Sequence, residues 1–316
     1  VSDGDPNAPG FMYADKKYVA STYDVQKTLK CVKHYEKNGG TIDGIISVGA
    51  DVPLTISSIA EELSLPSIKV KIAEICSNKL LMKEEFKRKN IPTALFSEIN
   101  SIKELRNFIK DREKSIVLKP VDSRGARGVL KLDKNSDLTW AFKHSKKFST
   151  SGKLIAEEFE TGSQHSTESI FTSSQSFTPG FTDRNYEYLS KFSPYMIENG
   201  GEQPTKLNKK NKSNVINLVE KASRLFGIKS STCKGDMILT SNGPKIIEIA
   251  PRLSGGWLST DQIPLGTGVD FLKNSILLSL GKKIKSDDIE PKFQKGVAIR
   301  YFFPKKGIIK SINGLD

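Results

Sequence analysis

Lys245-Ile-Ile-Glu-Ile-Ala-Pro-Arg-Leu-Ser-Gly-Gly256 carries a carboxylate, Glu248, and a guanidinium, Arg252, to the exit of an apolar run. Ile246, Ile247 and Ile249 are β-branched and follow the turn residues Ser241-Asn-Gly-Pro244. The run therefore reads as the second strand of a hairpin whose first strand is Asp236-Met-Ile-Leu-Thr240. Adjacent strands bring Asp236 and Glu248 close together. Two carboxylates that close repel unless a cation or a proton lies between them, and hard oxygen ligands beside a phosphate favour Mg²⁺. A pair of solvent-facing acids is the plainer alternative when any two strand residues are taken alone; the neighbouring motifs weigh against it.

Upstream, the strand Ser115-Ile-Val-Leu-Lys-Pro120 ends in a lysine, an unusual choice after an apolar run unless an anion pairs with it. One step further lies Ser123-Arg-Gly-Ala-Arg-Gly128. Its glycines let backbone N–H groups converge on an anion, with phosphate the natural guest and a simple hairpin turn the alternative. Neither GxxxxGK[ST] nor a strand-to-helix GxGxxG is present. Lys79, near the start of its helix, is a second candidate cation, with a solvated helix lysine as its bland reading. Leu154-Ile-Ala-Glu-Glu-Phe-Glu-Thr-Gly162 leaves a strand with Glu157, Glu158, Phe159 and Glu160. Such a strand end supplies the apolar slot and backbone edge that an adenine ring needs, and Gln164, a few residues on, suits ribose hydroxyls.

The 316 residues are 37% hydrophobic and 27% charged, an ordinary globular balance with room for two or three domains. No apolar run approaches the roughly 18 residues of a membrane span, and no charged-then-apolar leader is present, so the expectation is a cytoplasmic protein without membrane contact. Cys31, Cys76 and Cys233 lack metal or disulfide spacing and are expected as free, buried thiols. The net charge of +13 is spread over predicted helix faces. Clusters such as Lys206-Leu-Asn-Lys-Lys-Asn-Lys212 have no aromatic interleaving, so nucleic acid is not the expected partner.

Val1 to Gly10 reads as the end of a strand running into a loop, and both ends of the chain read as cut. The pattern predicts a helix over 24–38, a strand over 44–49 ending beside Gly49 and Asp51, a helix over 52–63, and Pro66-Ser-Ile68. Such alternation implies a parallel sheet with a ligand edge at the strand C-termini. Further on come helices over 78–89 and 102–111, the strand ending at Pro120, Val129–Leu132, a helix over 136–148 and a strand over 153–157. A strand over 166–172, a polar loop over 178–207, a helix over 213–226, the hairpin and a final strand over 297–303 complete the pattern. Antiparallel strands with flanking helices suggest an α+β body.

The order Asn78-Lys79, VLKP, SRGARG, AEEFETG, GD with hydrophobics, and IIEIAPR followed by SGG resembles the ATP-grasp superfamily, in particular its carboxylate-amine ligases, over about residues 1 to 303. The resemblance implies α/β plus α+β architecture: a pre-ATP-grasp (Rossmann-like) domain over 1–75 lacking its first strand, a two-lobed ATP-grasp domain over 76–290, and the start of a C-terminal subdomain over 291–316. It implies ATP and Mg²⁺, or Mn²⁺, as cofactors. Lys79 and Lys119 match the lysines that contact ATP phosphates; Ser123, Arg124, Gly125, Ala126, Arg127 and Gly128 match the mobile phosphate-covering loop. Glu157 to Glu160 match the adenine hinge, and Asp236 and Glu248 match the metal carboxylates. Arg252 matches an arginine near the transferred phosphate and the acyl substrate, giving it, with Lys119, a catalytic role.

Two departures bear on activity. Gln164 falls where many members have a ribose-binding Glu, and Ala250 stands where many have an Asn that completes metal coordination. Some purine-pathway members also read EIAPR, so the resemblance is compatible with activity and leaves the metal count open.

The family chemistry joins a small-molecule carboxylate to an amine through an acyl phosphate, with no protein nucleophile. That agrees with His34, His144 and His165, the only histidines, having no motif around them and no evident Ser/His/Asp arrangement. Arg184, from Gly180-Phe-Thr-Asp-Arg184, and Ser254, Gly255 and Gly256 are expected to line the acceptor pocket, with Arg184 and Arg252 suited to gripping a carboxylate bidentately. A catalytically weak nucleotide-binding or regulatory protein is the rival reading, motivated by Ala250 and Gln164. A homodimer is an assembly left open.

Overall fold

The computed structural model describes residues 1–110 and 112–314. Short strands β1 (Ser2–Asp3) and β2 (Tyr18–Val19) pair in parallel, and α1 (Val25–Lys37), capped by Asp24, follows. Next come α2 (Pro53–Glu62), α3 (Val70–Ser77) and α4 (Lys79–Arg88), whose N-cap Asn78 accepts from Leu80 N and Leu81 N. The segment 44–49, expected as a strand, is irregular. No strand among the described residues pairs with it, and Ile46 and Val48 are exposed, so its β-branched pattern has no ladder to join. Helix α3 crosses the expected boundary at residue 75.

A four-stranded antiparallel sheet holds β3 (Phe96–Ile99), β4 (Ile116–Pro120), β5 (Leu130–Leu132) and β6 (Leu154–Glu158) in the order β3-β6-β4-β5. Helices α5 (Ile102–Lys110) and α6 (Leu138–Lys146) cover it, burying Leu105, Phe108 and Ala141 against Ile116, Leu118 and Leu130. The expected last residue of α5, Asp111, lies outside the described residues.

The larger sheet has six strands. β7 (Ser163–Phe171), β8 (Ser176–Asn185), β9 (Gly200–Gln203), β10 (Ser231–Thr240), β11 (Gly243–Ala250) and β12 (Val297–Arg300) stand in the order β11-β10-β7-β8-β9-β12, with α7 (Lys209–Phe226) inserted between β9 and β10. Much of the expected loop over 178–207 is therefore sheet. Its strands are rich in Gly, Thr and charged residues, so the sequence pattern hides them. The ladder supplies what propensity does not: Asp183 pairs with His165 and Glu202, and Gly201 with Arg184 and Ile299. Helix α7 packs Val215, Val219 and Ala222 against Met237 and Ile249, and α4 joins that core through Met82 and Phe86, which stacks on Phe226 at 5.1 Å.

Helices α8 (Ile263–Thr267), α9 (Phe271–Ser279) and α10 (Ser286–Ile289) close the far side over Ile170 and Leu253. Cys76 and Cys233 are buried free thiols and Cys31 is partly exposed. Among the described residues no helix is long and apolar enough to cross a membrane.

Candidate functional site

The expected hairpin is β10–β11, and its register sets Asp236 directly opposite Glu248. The turn chemistry explains this: Gly243 has φ +103°, a conformation that favours glycine, and closes the hairpin tightly. Beyond β11, Ala250 is buried and Arg252 leaves the strand.

Asp236, Glu248 and Arg252 open onto a cavity of about 820 Å³ between the two sheets. One wall carries Lys79, Lys119 and Ser123 to Gly128, the next Glu157, Glu158, Phe159, Glu160 and Gln164, and the floor Asp236 and Glu248. Arg184, Arg252, Ser254, Gly255 and Gly256 complete the far end. Apart from Gly49, every residue singled out from the sequence as a ligand or catalytic candidate thus borders one space, of a size that accommodates a nucleotide and a small substrate.

The cations are held by specific partners. Lys79 Nζ donates to Ser123 O at 2.7 Å and lies 3.6 Å from Glu248 Oε2, tying the start of α4 both to the glycine-containing loop and to the hairpin. Lys119 Nζ is 2.6 Å from Glu157 Oε1, an ion pair in which that oxygen has no aligned hydrogen bond. The other oxygen, Oε2, meets Lys83 Nζ at 3.1 Å. Burial raises the Glu157 carboxyl, but the two lysines outweigh it and hold it below its ordinary value. Glu157 thus turns its side chain to Lys119 and Lys83, and its segment is stitched in place by Glu158 N to Leu95 O and Phe159 N to Ser115 O.

The loop after β4 is tight: Gly125, Ala126 and Gly128 all have positive φ, and Ser123 Oγ donates to Arg127 O at 3.0 Å. Arg124 reaches toward the N-terminal region, its Nε 4.0 Å from Asp51 Oδ2 and its guanidinium over the Tyr23 ring. Asp51 also accepts from Arg252 Nη2 at 2.9 Å. Burial works against the Arg252 charge, but Asp51, with Glu248 and Glu168, outweighs it and holds the pKa above its ordinary value. Asp51, expected at a ligand edge, therefore lines the cavity; Gly49 does not.

Asp236 is the most heavily engaged of the carboxylates that border the cavity. Lys234 Nζ lies 2.6 Å and Arg184 Nη1 3.4 Å from Oδ2, and Ser166 Oγ donates to Oδ1 at 2.6 Å. Burial alone would raise its pKa; the two cations hold it well below the usual carboxylate range. Arg184 spends its fork on Glu198, through Nε at 3.1 Å and Nη2 at 2.5 Å. The expected bidentate grip on an incoming carboxylate is thus already used by the protein's own acid, because β8 and the Glu198 segment place both side chains at one end of the cavity.

Several participants were not anticipated. Lys83 is fully buried, and burial brings its ammonium down to about 8. Its spacing of four from Lys79 puts both on one helix face, a signal the sequence contains. Lys234, two residues before Asp236, shares that residue's face of β10 by the period of a strand. His165 Nε2 meets Ser163 Oγ at 2.7 Å and Nδ1 meets Asp183 Oδ1 at 2.7 Å, a Ser/His/Asp arrangement the sequence did not suggest because Asp183 arrives from β8. None of the three borders the cavity, and His165 is buried, so the group ties β7 to β8.

Among the described residues no cluster of three or more His, Cys, Asp or Glu side chains is arranged to enclose a metal. Of the facing pair, Asp236 is engaged at both oxygens, so Glu248 carries the more open hard oxygens, with Asp236 beside it. That donor set fits a divalent ion of the Mg²⁺ type that arrives with phosphate oxygens and water filling its other positions.

A family profile described as the ATP-grasp domain matches residues 76–256. An uncharacterized protein, y4rH, of Sinorhizobium fredii (strain NBRC 101917 / NGR234) is 21% identical over 99% of this chain, which spans 64% of that relative's length. Among solved structures, the L-amino acid ligase from Bacillus licheniformis superposes with a TM-score of 0.70 at 19% identity, covering 85% of this chain and 64% of the ligase. Phosphoribosylglycinamide synthetase from Anaerococcus prevotii gives a TM-score of 0.72 at 18% identity over 97% of this chain and 75% of the synthetase. At these identities the likeness is one of fold.

Proposed function

Because the chain belongs to the ATP-grasp family, we propose that its cavity binds Mg-ATP and uses it to activate a carboxylate as an acyl phosphate, which an amine then captures. The observation that carries this reading is the convergence of Lys79, Lys119, the Ser123–Gly128 loop, Asp236, Glu248 and Arg252 on one cavity from four separate stretches of chain.

In this reading the segment Glu157–Glu160 lies along the adenine, with Gln164 toward the ribose. Lys79, Lys119 and the loop's backbone N–H groups face the phosphates, where fixed positive charge offsets charge spreading over the phosphoryl oxygens during transfer. The substrate carboxylate attacks the γ-phosphorus in line, the bond to the β–γ bridging oxygen breaks, and ADP leaves. Arg252, oriented by Asp51, faces the acyl phosphate, and the backbone at Ser254, Gly255 and Gly256 approaches the acyl group closely. The amine nitrogen then attacks the acyl carbon and releases inorganic phosphate. When bound between Asp236 and Glu248, a Mg²⁺ ion supplies charge neutralisation and alignment of the β and γ phosphates. The loop excludes water by closing, which a hydrolysable acyl phosphate requires.

The test is ADP release against a panel of carboxylates and amines. Release that needs both substrates and Mg²⁺, with a loss of at least a hundredfold in Glu248→Gln at unchanged melting temperature, is expected. Tight ATP binding with no turnover across a broad panel would sink the ligase reading and favour a nucleotide-binding regulator.

A further inference from the structure

Building on the Mg-ATP reading, we infer that Lys234 fills with its own ammonium the place a second metal ion would take, so that this site binds one divalent ion rather than two. Two-metal phosphoryl-transfer sites need a second carboxylate face with oxygens free for the second ion. Here that face is occupied. Asp236 Oδ2 is 2.6 Å from Lys234 Nζ and 3.4 Å from Arg184 Nη1, and Oδ1 accepts from Ser166 Oγ at 2.6 Å.

The cross-strand geometry closes the remaining approach. Lys234 stands directly opposite Ala250 in the β10–β11 ladder, just as Asp236 stands opposite Glu248. Position 250 therefore offers a metal only a methyl group, while the residue facing it brings a positive charge to the same acid. The Lys234 side chain is largely buried at the cavity border, so its charge is weakly screened there. A divalent ion on the Lys234 side of Asp236 would meet two cations; one on the Glu248 side meets a carboxylate whose nearest cation, Lys79 Nζ, is 3.6 Å away. The ammonium and guanidinium supply from the protein the positive charge that a second ion would bring.

The experiment counts ions instead of turnover. The protein saturated with a non-hydrolysable ATP analogue is titrated with Mn²⁺, and bound Mn²⁺ per chain is read from loss of the free-ion EPR signal. One Mn²⁺ per chain is expected for the unaltered protein and two for Lys234→Ala combined with Ala250→Asn, which removes the cation and adds an oxygen ligand. Two ions on the unaltered protein, or one on the double variant, overturns the inference. Where that variant does not fold, Lys234→Gln combined with Ala250→Asn, which keeps the side-chain length and removes only the charge, serves with the same two outcomes. Absence of analogue binding in the first place is a different result: it removes the Mg-ATP reading itself.

Discussion

At the scale of single residues, the site is a set of carboxylates placed in unlike surroundings. Glu168 is the clearest case besides Asp236 and Glu248. It is fully buried on β7, bonded by Ser254 Oγ and Ser259 Oγ, and burial pushes its carboxyl up to about 7 even though Ser254, Lys234 and Arg252 pull the other way. The native state therefore holds a proton that the unfolded chain, with an ordinary value of 4.5, releases between about pH 4.5 and 7. Stability from this group is present at the acid end of that window and is lost as pH rises through it, by about 1.4 kcal/mol per unit. Melting temperatures measured from pH 5 to 8 should fall more steeply in the unaltered protein than in Glu168→Gln; parallel curves would show that Glu168 does not carry the effect. Glu168 was not legible in the sequence, since its partners Ser254 and Ser259 lie some ninety residues away. Asp236 and Glu248 were legible, because a hairpin turn fixes which residues of its two strands face each other.

At the scale of elements, what could be read depended on whether local pattern or distant pairing makes the element. Helices α1, α4 and α6 announce themselves by caps, Asp24, Asn78 and Asp137, and by periodic apolar residues. Strands β8 and β9 do not, because their residues are chosen for close approach instead of propensity. Gly200 and Gly201 leave no room for a side chain against Ile299 O and the Thr182 methyl, so glycine marks the packing of β9 between its neighbours. The same logic governs the seat of α7 on the sheet. A Cβ at Gly235 of β10 would come within 2.8 Å of both Thr167 Oγ1 and Val219 Cγ2. Gly235→Val should therefore push α7 off β10 and cost about 1–3 kcal/mol in chemical denaturation. Gly10→Ala, with nothing within 4 Å, should be neutral. Equal stability of the two variants would mean that the helix seat is softer than its contacts indicate.

At the scale of the whole molecule, two sheets of different size face each other across the cavity, and no local pattern signals how they are joined. One buried junction between them lies at Lys83. This lysine on α4 touches Glu157 of the smaller sheet and, within hydrogen-bond distance, Thr93 Oγ1 on the connection from α4 to β3 and Ile246 O of the larger sheet. Thr93 Oγ1 itself donates to Ile246 O at 2.8 Å, so the three groups form one knot. Sliding one sheet past the other would strand a buried charge, whereas turning about the knot keeps every partner. The knot thus opposes shear of one sheet past the other more strongly than rotation about Lys83. Spin labels at the exposed positions Ser151 and Lys210, one on each lobe, should change separation when Mg²⁺ and an ATP analogue are added, while a pair flanking the Lys83 junction should not. A clamp built this way opens and shuts like a door on a charged pin, and its reach is set by the pin's distance from the edge instead of by the softness of either panel.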